Sequence, residues 1–255
     1  MPKSSFDADA QAFITAAAIT DSTQQNAINT LVIALKGYSI WTKFKAIYPI
    51  VGGTASQHKY NLKDPRDLDA AYRLTFATGW THASTGMTPN GTSAFADTKL
   101  NVDTSTDLNS VAFGVYSRSN TAGGNRYHGV SSASTFLMIS EKLPSNNYLA
   151  FIHEAGTVGT FSASTDSRGF FQGSRTAVNV VRIAKNNSQV TSANLSVNKP
   201  AFKIYIGANN NQNIANRYND KELAFFYISE GLSSTEMTNL YTAVQAFNTT
   251  LGRQV

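Results

Sequence analysis

The 255-residue chain contains no cysteine. That excludes disulfides, thiolate metal ligands and a cysteine nucleophile together, and it leaves the redox compartment open. Charge is also scarce, at 15% of residues, against about 25% in an average soluble domain. The net charge of +5 comes from 21 Lys and Arg spread along the whole chain, without the clustered basic face of a nucleic-acid binder. Long apolar runs are missing. The best stretch, residues 12–19, is mostly alanine and is broken by Thr15, so neither a membrane-spanning helix nor a secretory signal is expected behind the Met-Pro-Lys-Ser-Ser start. Four Asn-x-Ser/Thr sequons, at Asn90, Asn186, Asn194 and Asn248, are what chance gives in such a composition.

What fills the chain instead is small and polar. Ser, Thr and Asn supply 76 of the 255 residues, a surface of hydroxyls and amides that hydrogen-bonds without strong fields. The length suits one large β domain or a smaller domain with an appendage, and it suffices for a sizeable core.

Residues 6–48 read as helices. Phe6, Ala10, Phe13, Ile14 and Ala17 fall on one face at three-and-four spacing, and Asp7 and Asp9 suit the first turn. A second helix opens at Asp21 or Ser22 with Ile28, Leu31, Val32 and Leu35 inward. Gly37 is expected as its left-handed terminator, and Ser39 as the cap of a short third helix carrying Trp41, Phe44 and Ile47. Residues 1–50 are therefore expected to form an N-terminal helical docking segment; a hairpin packed on its own domain is the other reading.

After Val51-Gly-Gly-Thr-Ala-Ser the period changes to two. Short β-branched and aromatic runs at 110–117, 136–140, 148–153, 177–184, 201–207 and 222–229 alternate with Gly, Asn and Ser clusters. Val178, Val180 and Ile183 mix with polar neighbours, as in a sheet with one wet face. Asn186 and Asn187 make a hairpin turn between two such runs. About a dozen strands predict a β-sandwich or jelly roll over residues 51–255. A closing helix at 233–250 is capped by Ser233 or Ser234, with Glu236 completing a capping box. Its inward face is Met237, Leu240, Tyr241, Val244 and Phe247, with Gly252 beyond its end.

Catalytic patterns are scarce. Of the five glutamates, Glu141, Glu154, Glu222, Glu230 and Glu236, only Glu222 has an acid two residues away, Asp220, the spacing a glycosidase pair on one strand would require. The four histidines, His58, His82, His128 and His153, show no metal-ligand spacing. No Gly-x-Ser-x-Gly elbow occurs, and Gly52-Gly53 and Gly123-Gly124-Asn125 read as loops. Asn101, Asp103, Asp107 and Asn109 could offer oxygens to calcium but lack the EF-hand glycine and glutamate, and read as a polar loop. No metal, no cofactor and no enzymatic activity are expected. The candidate ligand-binding residues are Trp80 with His82, and Tyr127 flanked by Arg126 and His128, where a ring would stack on a sugar while neighbours bond its hydroxyls. The charged block 61–74 reads as a solvated turn or a subunit contact.

Three stretches together resemble laminin-G-like, concanavalin-A-like domains. They are Pro89-Asn-Gly-Thr-Ser-Ala-Phe-Ala-Asp-Thr; Val181-Arg-Ile-Ala-Lys-Asn-Asn-Ser, with Asn187 where the family usually has glycine; and Lys203-Ile-Tyr-Ile-Gly-Ala followed by Leu223-Ala-Phe-Phe-Tyr-Ile-Ser-Glu-Gly-Leu-Ser-Ser-Thr-Glu-Met. The likeness covers about residues 60–250. Trp41-Thr-Lys-Phe-Lys-Ala-Ile-Tyr-Pro-Ile-Val-Gly-Gly-Thr-Ala, the His58–Leu74 block and the ending Tyr241-Thr-Ala-Val-Gln-Ala-Phe-Asn-Thr-Thr-Leu-Gly-Arg are similar to structural proteins of tailed bacteriophages, those of the crAss-like group among them. The resemblance implies a mainly β, lectin-like jelly roll with an N-terminal helical segment and a C-terminal helix. It implies a non-enzymatic fibre or appendage protein, made in the host cytoplasm and located in the virion. Its partners would be other virion proteins and a host-surface glycan, with no nucleic acid and no membrane insertion, in a homo-oligomer or symmetric array. A freestanding carbohydrate-binding module is the alternative.

Overall fold

The computed structural model describes residues 6–121, 124–155 and 159–255. The Met1–Ser5 start, and Gly123 of the loop read above, lie outside them. The chain opens with α1 (Ala8–Ala16) and α2 (Ser22–Gly37), then β1 (Phe44–Tyr48), a short α3 (Ala55–His58), β2 (Thr75–Phe76), β3 (Trp80–Ala83), β4 (Gly86–Pro89) and β5 (Ala96–Asn101). It continues through α4 (Val102–Ser105), β6 (Val111–Ser117), β7 (His128–Ser131), β8 (Thr135–Ser140), β9 (Asn147–Ala155), β10 (Thr160–Ala163) and β11 (Gly169–Ala177). It ends with β12 (Val180–Lys185), β13 (Ser188–Ser192), β14 (Lys203–Ile206), β15 (Asn209–Asn211), β16 (Ile214–Asn216), β17 (Leu223–Ser229) and α5 (Ser234–Thr250).

These strands form two sheets. One runs β13-β12-β11-β6-β17-β4-β3, with β1 added to β17. The other runs β10-β9-β8-β7-β14-β5-β2, and the β15–β16 hairpin joins it through a parallel pairing of β15 with β7. The result is mainly β, a jelly-roll sandwich with helices at both ends of the chain, as expected. Phe113, Val115, Ile152, Phe171, Ile183, Ile204 and Phe226 fill the space between the sheets. A second core lies on the other face of the eight-stranded sheet, where Phe13, Leu31 and Leu35 of α1 and α2 meet Phe170, Phe225, Tyr227 and, from α5, Leu240 and Phe247. The order of layers is helices, sheet, sheet. The central strand β17 is consequently buried at every residue, which is why Leu-Ala-Phe-Phe-Tyr-Ile-Ser reads as an unbroken run.

The expected boundary at residue 50 is no break in this packing: the helical hairpin shares a core with α5, and β1 pairs with β17. The expected third helix is a correction. Trp41–Lys43 is a single 3-10 turn, and Phe44–Tyr48 is strand β1. A bulge at Lys45 shifts the register against β17, so Phe44 and Ile47 face the helical core while Ala46 and Tyr48 face the inter-sheet core. That bulge produces the three-residue apolar spacing of a helix inside a strand. Gly37 is not the left-handed terminator either; Ser39 takes that conformation, with φ 59°, and the Ile40 amide closes back on the Leu35 carbonyl. Val178 lies in the turn between β11 and β12 and is exposed, while Val181 and Ile183 supply the inward face of β12.

Other local expectations hold. Asp21 caps α2 and Asp7 caps α1. Asn186, with φ 54°, turns the β12–β13 hairpin. Ser233 and Glu236 form the capping box, and Gly252 takes φ 63° beyond α5. In the 61–74 block, residues 66–70 form an exposed turn laced by Arg66–Asp64, Lys59–Asp67 and Arg73–Asp69 pairs, while Asn61, Leu62, Ala71 and Leu74 are buried and anchor it. Arg253, 1% exposed, fastens the C-terminal end by donating to the carbonyls of Pro49, Ile50 and Ala224 at 2.7–3.0 Å. No helix among the described residues is long and apolar enough to cross a membrane.

Candidate functional site

The five residues singled out in the sequence go to different places. The turn of the chain into β7 sends Tyr127, just before the strand, and His128 to opposite faces of the nine-stranded sheet. His128 points between the sheets and is fully buried. The Gly207 amide donates to its Nδ1 at 2.8 Å, which makes Nδ1 an acceptor and puts the proton on Nε2, 2.8 Å from Glu141 Oε1. Asn219 Nδ2 donates to the other Glu141 oxygen at 3.0 Å. Burial pushes the Glu141 carboxyl up, but the His128 ring and the Lys221 ammonium more than reverse that and hold it below the usual carboxylate range. This is a buried polar network that holds the end of the sandwich together.

Trp80 is half-buried, its ring pressed so close to Gly207 that a Cβ there would lie 2.7 Å from Cζ2; with φ 85°, the glycine is required twice over. His82 Nδ1 sits 2.9 Å from His58 Nδ1. Arg126 pairs with Asp220, whose other oxygen accepts from the Thr121 hydroxyl at 3.1 Å. Asn101, Asp107 and Asn109 are spent on local bonds, to the Asp103 amide, the Asn109 amide and the Ser196 hydroxyl. No cluster of three or more metal-ligating His, Asp or Glu occurs among the described residues.

Tyr127 faces outward. With Met138, Leu149 and Phe151, and the half-buried Phe136 and Leu143, it forms a small apolar cluster on the outer face of the nine-stranded sheet. Beside that cluster lies a groove of about 230 Å³. Its floor is Ser131, Ser132 and the Phe136 ring; its wall is the β15–β16 hairpin with Asn209, Asn211, Gln212, Asn216 and Arg217. The hairpin tip is tight, with positive φ at Gln212 and Asn213, and the Asn210 side chain bonds the Asn213 amide at 2.7 Å; Arg217, also at positive φ, follows β16 at the open end of the hairpin. Asn209 is 3% exposed. Its amide nitrogen donates to Ser131 Oγ at 3.0 Å and to Asn216 Oδ1 at 2.9 Å, while its Oδ1 accepts no hydrogen bond from the described residues.

A second, more apolar depression adjoins the first through the Phe136–Phe151 ring pair, whose centroids are 5.3 Å apart. Leu149, Phe151 and Phe161 line it, and Phe161 on the edge strand β10 is 63% exposed. One continuous strip therefore offers amides and hydroxyls at one end and an open aromatic ring at the other. A polar cleft at Thr104–Asp107, Ser229 and Glu230 is larger, but its lining has no aromatic residue and its Lys45 and Glu230 satisfy each other at 3.1 Å. Sequence reasoning missed the groove. The signal was present in the run Asn209-Asn-Asn-Gln-Asn, yet only the parallel pairing of β15 with β7 brings it to Ser131 and Phe136.

No protein-family model and no curated protein matches the chain. Solved structures do. Domain 4 of AbnA, an extracellular arabinanase of Geobacillus stearothermophilus solved with arabinotriose, aligns with a TM-score of 0.51 at 11% identity, over 78% of this chain and 98% of that one. A Trypanosoma rangeli sialidase mutant with trans-sialidase activity aligns at TM-score 0.54 and 8% identity, over 88% of this chain and 39% of that one. The binding domain of botulinum neurotoxin serotype D aligns at TM-score 0.51 and 10% identity, over 82% of this chain. This chain spans about half, 52%, of that binding domain's length. At such identities the likeness is one of fold alone, a jelly-roll β-sandwich.

Proposed function

We propose that the protein is a carbohydrate-binding, lectin-like module that holds a glycan along the outer strip of the nine-stranded sheet without cleaving it. The observation that carries this reading is Asn209 Oδ1, a buried acceptor in a groove otherwise lined by amides, hydroxyls and one aromatic ring. An unmet buried acceptor costs about 1–3 kcal/mol; Asn209 Oδ1 is closed to solvent, so a sugar hydroxyl would meet it as the β15–β16 hairpin gives way. Phe161 and Phe136 supply faces for sugar rings. Binding without hydrolysis is supported by the glutamates, each engaged elsewhere: Glu141 with His128, Glu154 near Arg175, Glu222 with Arg118, Glu230 with Lys45 and Glu236 in its capping box. Glycan-array screening followed by calorimetry tests the reading. Phe161→Ala is expected to weaken the best sugar about 5-fold with an unchanged melting temperature. A folded protein that binds no sugar on the array defeats it.

The module's setting is a second proposal. The likeness of residues 41–55, 58–74 and 241–253 to tailed-phage structural proteins supports display on a virion, in several copies whose weak binding would add by avidity. Ile33 and Tyr38 stand exposed on the outer side of the helical layer, where a contact with the particle would fall. Mass spectrometry of purified particles tests it; particles without peptides of this chain defeat it.

A further inference from the structure

The groove carries charge of one sign. Arg217 is the single ionisable residue in its lining. Arg66, Arg73, Arg118, Arg126 and Arg168 all lie within ion-pair distance of an aspartate or glutamate, and Arg253 spends its guanidinium on backbone carbonyls. Arg217 makes no ion pair among the described residues. Its guanidinium lies over the Tyr127 ring, 5.2 Å from the centroid, and the Tyr127 amide donates to its carbonyl at 3.1 Å. The Tyr127 side chain also hydrogen-bonds the Arg217 side chain, so ring and phenol together hold the cation beside the groove.

Resting on the carbohydrate reading, we propose that the glycan taken here is acidic, and that Arg217 binds its carboxylate. The two ends of the groove ask for different things. Asn209 Oδ1 needs a hydrogen-bond donor, which a hydroxyl supplies and a carboxylate does not. Arg217 needs a planar, anionic acceptor, and no carboxylate of the lining competes for it or repels it. A molecule carrying both groups a few ångströms apart is a sugar acid, of the uronic or nonulosonic kind. Asn216 places the two requirements side by side, since it bonds Asn209 and precedes Arg217 in the chain. A simple inorganic anion would satisfy only the arginine.

The test uses matched probes: oligogalacturonate against its methyl ester, and N-acetylneuraminyl-lactose against lactose, titrated into the full chain. At least one acidic member is expected to bind about 10-fold tighter than its neutral partner, with the advantage shrinking at high salt. Arg217→Gln is expected to bring the ratio of acidic to neutral affinity to about 1; Arg217→Lys, which keeps the charge but not the fork, restores part of that ratio. Circular dichroism and the melting temperature confirm that the variants are folded. Neutral partners binding as tightly as acidic ones, or Arg217→Gln weakening both alike, overturns the assignment of an acidic ligand while sparing the carbohydrate reading. A folded wild-type chain that binds no sugar, here or on the array, overturns both.

Discussion

His58 and His153 are buried, and neither ring nitrogen Nε2 has a hydrogen-bond partner among the described residues. Burial, with His82 and Arg253 nearby, pulls the pKa of His58 down to about 3; burial, with Arg175 nearby, pulls that of His153 to about 4. Both lie below the 6.5 of a free imidazole, so the unfolded chain binds more protons than the folded one between those values. Their contribution to stability is complete above pH 6.5 and is lost as pH falls, at up to about 1.4 kcal/mol per pH unit for each ring. Glu141, also lowered, adds to the loss once pH falls below the usual carboxylate range. The melting temperature by calorimetry is therefore expected to drop steadily from pH 6.5 to 4, and a flat profile there would contradict the burial of neutral rings. The sequence marked His128 and Tyr127 as neighbours of like role. The turn of the chain into β7 gave His128 to a buried network and Tyr127, just before the strand, to the outer face beside Arg217.

Among the elements, those with local signals were legible. The Ser233–Glu236 capping box satisfies two end groups of α5 at once, and the helix meets α2 through Leu240, Val244 and Phe247. Ser233→Ala is expected to cost about 1 kcal/mol, read as a lower urea midpoint with an unchanged slope. The Asn186 turn and Gly252 were equally plain, because each depends on one residue's access to positive φ. β1 was misread for the opposite reason. Its spacing of Phe44 and Ile47 is set by a bulge against β17, a partner some 180 residues away in the chain, and no window of local sequence contains that partner.

For the whole molecule, the helical layer decides how the chain behaves. Removing residues 1–49 would uncover Phe170, Phe225 and Tyr227 and strip β1 from β17. An exposed apolar face of that kind promotes association. The truncated chain is expected to aggregate and bind a hydrophobic dye, as read by light scattering and fluorescence; a monomer that unfolds cooperatively would show the helices to be dispensable to the fold. The sequence by itself determined the class: period-two runs, turn residues and a capped closing helix suffice for a sandwich with helices at its ends, because each signal acts over a few residues. Only the tertiary structure decided that the helices cover a sheet, that His128 is structural, and that Asn209, Phe136 and Arg217 meet in one groove. Those outcomes depend on which strands pair and which faces are covered, and such choices arise from contacts between segments far apart in the chain.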